Sequence, residues 1–196
     1  MPTLSEIDSF DPTEWVHAYA KPAFRIDNEI FDQILKFSLI WSLFERDACS
    51  RNAGMTSIQK SVKDALHAGV VSTDLFKSHI DFFRDRAKIH HDSIEGYIAA
   101  LRTSNAKTDL LLRDFFSETN QSPVTTLTAL LVIAYRIRNN LFHGEKEVAD
   151  LHTQSELFKV INSMLATYLT RIKMLLNPPT NRNCNSPLRG LPQSDY

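Results

Sequence analysis

The segment Arg136-Ile137-Arg138-Asn139-Asn140-Leu141-Phe142-His143-Gly144 concentrates groups that can act on a phosphate. Histidine titrates near neutral pH, so it can both take and give a proton. Arginine carries a fixed charge on a planar fork that matches phosphate oxygens. Together they meet two needs of phosphodiester cleavage without a metal: proton movement, and relief of the charge that grows in the transition state. On a helix, Asn139 and His143 share one face. Arg138 lies about 140° from His143 around an ideal helix, an angle its long side chain can span. The apolar run before the segment and Gly144 after it place the polar cluster at a helix end, within reach of solvent.

Spacing alone is weak evidence. With 12 arginines and 7 histidines in 196 residues, chance supplies roughly 0.4 matches to Arg-x4-His. A second match, Arg86 to His91, lacks the Asn, the apolar lead and the Gly, and is read as a chance pairing. Arg136 and Lys146 flank the main segment and are candidates for steering phosphates. Glu45 closes a very apolar helix. It either orients Arg138 or His143 or is a solvated helix end beside Arg46 and Asp47. His90-His91-Asp92 is not read as a metal site, because adjacent helical residues point about 100° apart and no partner His or Cys has ligand spacing. No glycine-rich phosphate loop occurs, and neither Cys49 nor Cys184 has the neighbourhood of a nucleophile. The same helix end can also be purely structural, since Asn, His and cations all suit helix C-termini.

The elements that must hold these groups read as helices. Ile30, Ile34, Phe37, Trp41, Phe44 and Ala48 step by threes and fours, which predicts a helix over about 27–49. Phe31, Leu35, Leu39 and Leu43 give it a second apolar face, so burial on two sides is expected. Further helices are expected over about 57–67, with Thr56 as cap, and from Ser72 or Thr73 onward, bending through Ile89 and Ile94 to Leu101. Another is expected over about 107–117. Ser122-Pro123 opens the motif helix, with Pro at its first position and a stripe of Leu127, Leu130, Leu131, Ala134, Ile137 and Leu141. The last helix is expected over about 145–176, on Phe158, Ile161, Leu165, Tyr168, Ile172 and Leu175. Residues 1–25 read as irregular, with one short turn at Trp15 and Tyr19. Residues 177–196, rich in Pro, Asn and Ser, read as a tail. No strand alternation survives. The expectation is one all-α domain over 26–176, an up-and-down bundle of about 5–7 helices.

Composition sets the outer limits. Hydrophobic residues are 43% and charged residues 23%, enough for a real core. Lys and Arg total 22 against 23 Asp and Glu. That balance argues against gripping long duplex DNA by charge alone. The longest apolar stretch, Val124–Ile137, is too short to span a bilayer and reads as a buried helix. The acidic N-terminus lacks the pattern of a signal peptide, so a cytoplasmic location is expected.

The stretch Arg138-Asn139-Asn140-Leu141-Phe142-His143-Gly144 resembles the R-N-x-x-x-H motif of the HEPN superfamily. The resemblance is close over about ten residues. It is looser over the two-sided helix ending Trp41-Ser42-Leu43-Phe44-Glu45 and the long final helix. It implies an all-α bundle and a metal-independent endoribonuclease of a toxin or antiphage-defence kind. By that pattern Arg138 and His143 are catalytic and Asn139 shapes the motif turn. It also implies no cofactor, RNA as substrate, a homodimer that pairs two motifs, and an antitoxin or defence-system partner. One branch of toxins carries Tyr two residues after the His; here Glu145 stands there. The alternative expectation is a helical module that binds RNA or protein without cutting.

Overall fold

The computed structural model describes residues 11, 14–15, 18, 28–89, 93–103, 105–118, 122–142 and 154–176. Among them are seven α-helices, one 3₁₀ turn and no strand. The helices are α1 (Asn28–Ala48), α2 (Met55–His67), α3 (Lys77–Ile89), α4 (Ile94–Ala100), α5 (Ala106–Phe116), α6 (Pro123–Phe142) and α7 (Ser155–Leu176). The 3₁₀ turn Asp74–Phe76 leads into α3. The chain is thus an all-α helical bundle. Among the described residues no helix is long and apolar enough to cross a membrane.

Local chemistry explains most boundaries. Ser122 Oγ accepts the Thr125 N–H at 3.1 Å, and Pro123 occupies the first turn, where its missing N–H costs nothing. Ser93 Oγ accepts the Gly96 N–H and Asn105 Oδ1 accepts the Lys107 N–H, starting α4 and α5. The Ser93 cap also corrects the expectation of one bent helix from 73 to 101. Its backbone is extended, with φ −161°, which breaks helical continuity before α4. Thr56 is not the cap of α2. Gly54 is, and its N–H donates to Ser57 Oγ at 2.9 Å. The last described helix begins at Ser155, not near Glu145, and the Gln154 carbonyl accepts the Phe158 N–H. Residues 143–153 and the segment 177–196 lie outside the described residues, as does Tyr19 of the expected early turn.

The two longest helices, α1 and α7, run side by side in the same direction. Glu29 pairs with Lys159, Gln33 receives the Asn162 amide, and Phe44 meets Tyr168, so both numbers rise together. α3 runs against α7, with Phe76 beside Tyr168 and His79 beside Ser163. Phe37, Trp41, Phe44, Phe158 and Tyr168 form an aromatic seam through the core. Full burial of side chains of this size contributes about 1.5–3 kcal/mol each.

The most enclosed helix is α6. Every residue from Thr126 to Ala134 is buried, because the helix carries no charge before Arg136 and packs against α2 and α5. The expectation that α1 is buried on two sides fails. Its Phe37 face is buried, but Leu35, Leu39 and Leu43 are 53%, 62% and 42% exposed. The aromatic seam occupies one side of α1, and among the described residues no helix covers the other.

Candidate functional site

The motif helix is held in place one turn before its polar end. Tyr135 stacks on Trp41 of α1, with ring centroids 6.1 Å apart. Ile137 is buried, so α6 remains anchored while Arg136, Arg138 and Asn139 are only half-buried around it. The four polar side chains of this turn then divide into two pairs.

Arg136 and Asn140 are four residues apart and share a face. Both reach the C-terminal end of α4. Arg136 Nε donates to the Leu101 carbonyl at 3.1 Å, and its Nη2 donates to the Arg102 carbonyl. Asn140 Nδ2 donates to the Ala100 carbonyl at 3.3 Å, and Asn140 is buried. A helix end leaves its last carbonyls without intrahelical donors. Here three successive carbonyls find them on another helix, and Arg102 turns the chain away with φ +50°. Arg136 was expected to steer phosphates; in the structure its guanidinium is engaged at α4.

Arg138 lies about 160° around the helix from Arg136. Its Nη1 donates to Asn139 Oδ1 at 3.2 Å, so Asn139 holds one arm of the guanidinium. His143, Gly144 and Lys146 lie outside the described residues, as do His90 and His91. Glu45 is half-buried at the end of α1, and its carbonyl accepts the Arg51 N–H at 2.7 Å. Among the described residues it forms no ion pair with Arg138. Its carboxylate instead adds to the forces on Cys49. Burial pushes that thiol up to about 11, a hydrogen bond from Ser57 opposes this, and the Glu45 charge reinforces it.

Beside the motif lies a small cleft of about 150 Å³, lined by Arg86, Tyr97, Ile137, Asn140, Gln154 and Leu157. It joins α3, α4, α6 and the start of α7. Tyr97 is buried, which pushes its hydroxyl up to about 12, against a smaller opposing effect of the Arg86 charge and hydrogen bond. Arg86, whose spacing to His91 reads as a chance pairing, borders the same cleft as Asn140. Sequence reasoning also missed Tyr97 and Gln154. Tyr97 reads as one more apolar helix residue, and Gln154 falls inside what looks like a longer helix, so neither carries a local signal. Among the described residues no three His, Cys, Asp or Glu side chains converge in a way that would hold a metal ion.

Comparison with protein-family models, with curated proteins and with solved structures finds no match to this chain.

Proposed function

We propose that the chain is a HEPN-like, metal-independent endoribonuclease acting through Arg138 and His143, in a toxin or antiphage-defence role. The observation that carries this reading is the division of the α6 terminus. Arg136 and Asn140 serve the packing of α4, whereas Arg138 projects from the opposite side with one arm steadied by Asn139. A guanidinium steadied by an amide, on the side of the helix away from α4, favours recognition of a phosphate. In the reaction the ribose 2′-oxygen bonds to the adjacent phosphorus and loses its proton. The bond from phosphorus to the 5′-oxygen breaks, and that oxygen gains a proton. The products are a 2′,3′-cyclic phosphate and a 5′-hydroxyl. His143 moves one of these protons, and Arg138 offsets charge on the phosphoryl oxygens. The need for a 2′-hydroxyl makes RNA the substrate and DNA a non-substrate. The reaction needs both an acid and a base, and a homodimer supplies two histidines.

The alternative, a helical RNA- or protein-binding module, draws on the same division: half of the polar turn is used structurally. Incubation of the full chain with total RNA in EDTA separates the two. The expected result is cleavage with cyclic-phosphate ends, lost in His143→Ala and in Arg138→Ala while both variants stay folded. RNA left intact by the wild-type protein overturns the nuclease reading in favour of the binding module.

A further inference from the structure

The exposed face of α1 has a pattern that its core-facing side does not explain. Asp32, Leu35, Leu39, Leu43 and Arg46 fall within roughly 80° of one another around the helix, on the side away from the aromatic seam. The three leucines are 53%, 62% and 42% exposed, and Leu39 at the centre is the most exposed. One acidic residue sits at the N-terminal end of this stripe and one basic residue at the other. Beyond Leu43 the stripe opens into a cleft of about 490 Å³ between the ends of α1 and α7, where Arg46 and Lys173 stand beside Leu169 and Leu176. The stripe thus runs from an acidic end to a basic end with leucine between.

We infer that this face is the interface between two copies of the chain, packed antiparallel through α1 with the two-fold axis at Leu39. An isologous contact sets each residue against the one equally far on the other side of the axis. Leu39 then meets Leu39, Leu35 meets the partner's Leu43, and Asp32 meets the partner's Arg46. Every apolar side chain finds an apolar one, and each charge finds its opposite. The parallel arrangement sets Asp32 against Asp32 and Arg46 against Arg46, and like charges at a contact work against it. In one copy Asp32 is paired with Lys36 at 2.5 Å and Arg46 with Asp47 at 2.6 Å. Both pairs are exposed, and such pairs contribute little, so they do not hold the charges back from a partner. The buried side of α1 fixes the helix, so the stripe is presented without reordering cost. From the proposed function this takes only the expectation of a second copy; the face and the register come from α1.

Sedimentation of the full chain at micromolar concentration tests it. The expected species is a dimer, converted to a monomer by Leu39→Glu with little change in melting temperature. Leu110→Glu, at a leucine 60% exposed on α5, is expected to leave the dimer intact. Asp32→Arg and Arg46→Asp are each expected to weaken association about tenfold, a change of about 1.4 kcal/mol, and the double variant to restore most of it. A monomeric wild type, or a dimer indifferent to Leu39→Glu, overturns the interface and leaves the stripe to a different occupant. A double variant weaker than either single one overturns the register. The two proposals fail separately. A dimer that cuts no RNA removes only the nuclease; a monomer that cuts RNA removes the interface, and with it the pairing of two histidines, but leaves Arg138 and His143 as the cutting residues.

Discussion

Arg136 and Asn140 hold the end of α4, and their loss carries a structural penalty that loss of Arg138 does not. Asn140→Ala removes the bond from this buried side chain to the Ala100 carbonyl and is expected to cost about 0.5–1.5 kcal/mol, read as a lower urea midpoint. Arg138→Ala, at a half-buried position, is expected to cost about 1 kcal/mol or less while removing RNA cleavage. A variant of Arg138 that melts like Asn140→Ala would mean that it too is structural. Arg86 cannot serve as an inert control, since it borders the cleft at Asn140. Cys49 gives a second prediction at this scale. Its thiol is raised from the ordinary 9.0 to about 11 in the folded chain, so the unfolded chain loses its proton first. The stability this group contributes is whole below pH 9 and is lost as pH climbs from 9 through 11. Unfolding curves across that window are expected to fall less steeply for Cys49→Ala than for wild type. Equal slopes would mean that the thiol ionises alike in both states.

The ends of α2 show how backbone conformation decides the effect of one substitution. At its C-terminus the Val70 N–H bonds the Ala65 carbonyl and the Gly69 N–H bonds the Leu66 carbonyl, a Schellman closure. Gly69 has φ +67°, where any side chain is strained, although the space around it is open. Gly69→Ala is therefore expected to destabilise by about 1 kcal/mol from strain alone. At the N-terminus Gly54 has an extended φ of −164° and equally open space. Gly54→Ala is expected to cost less, about 0.5 kcal/mol or below, because the extended backbone is unstrained and the restricted unfolded chain offsets alanine's poorer fit at an N-cap. The melting temperature should fall clearly further for Gly69→Ala than for Gly54→Ala. A fall at Gly54 as large as that at Gly69 would contradict the conformational account.

At the scale of the molecule stability comes from apolar burial, and among the described residues most ion pairs lie at the surface. Lys36–Asp32, Lys60–Asp64 and Lys77–Asp81 are all exposed pairs one helical turn apart. Each contributes about 0.3–0.5 kcal/mol at most. Added salt is therefore expected to change the melting temperature little. RNA binding through phosphate contacts is expected to weaken steeply over the same range, because counterion release makes it salt-dependent. Parallel measurement of melting and of RNA affinity across a salt series checks both. An affinity that ignores salt would remove phosphate recognition from the proposed function.

The residues that form helices were legible because the forces involved are local. The Ser122-Pro123 start of α6, the three-four spacing of Phe158 to Ile172 and the uncharged run before Arg136 act between neighbours a few positions apart. The polar turn at 136–140 was legible as a candidate site for the same reason, since it interrupts an apolar pattern. What that turn does was not. Arg136 and Asn140 bond carbonyls 34 to 40 positions away, and nothing in the local sequence says which helix end will arrive there. Arg86 looked unrelated until α3 and α6 were packed around one cleft. The leucine face of α1 was read as buried because hydrophobicity reports a preference for leaving water. Whether a neighbour exists to satisfy that preference depends on how the other helices pack. In this chain the aromatic seam of α1 takes α7, and Leu35, Leu39 and Leu43 remain outside.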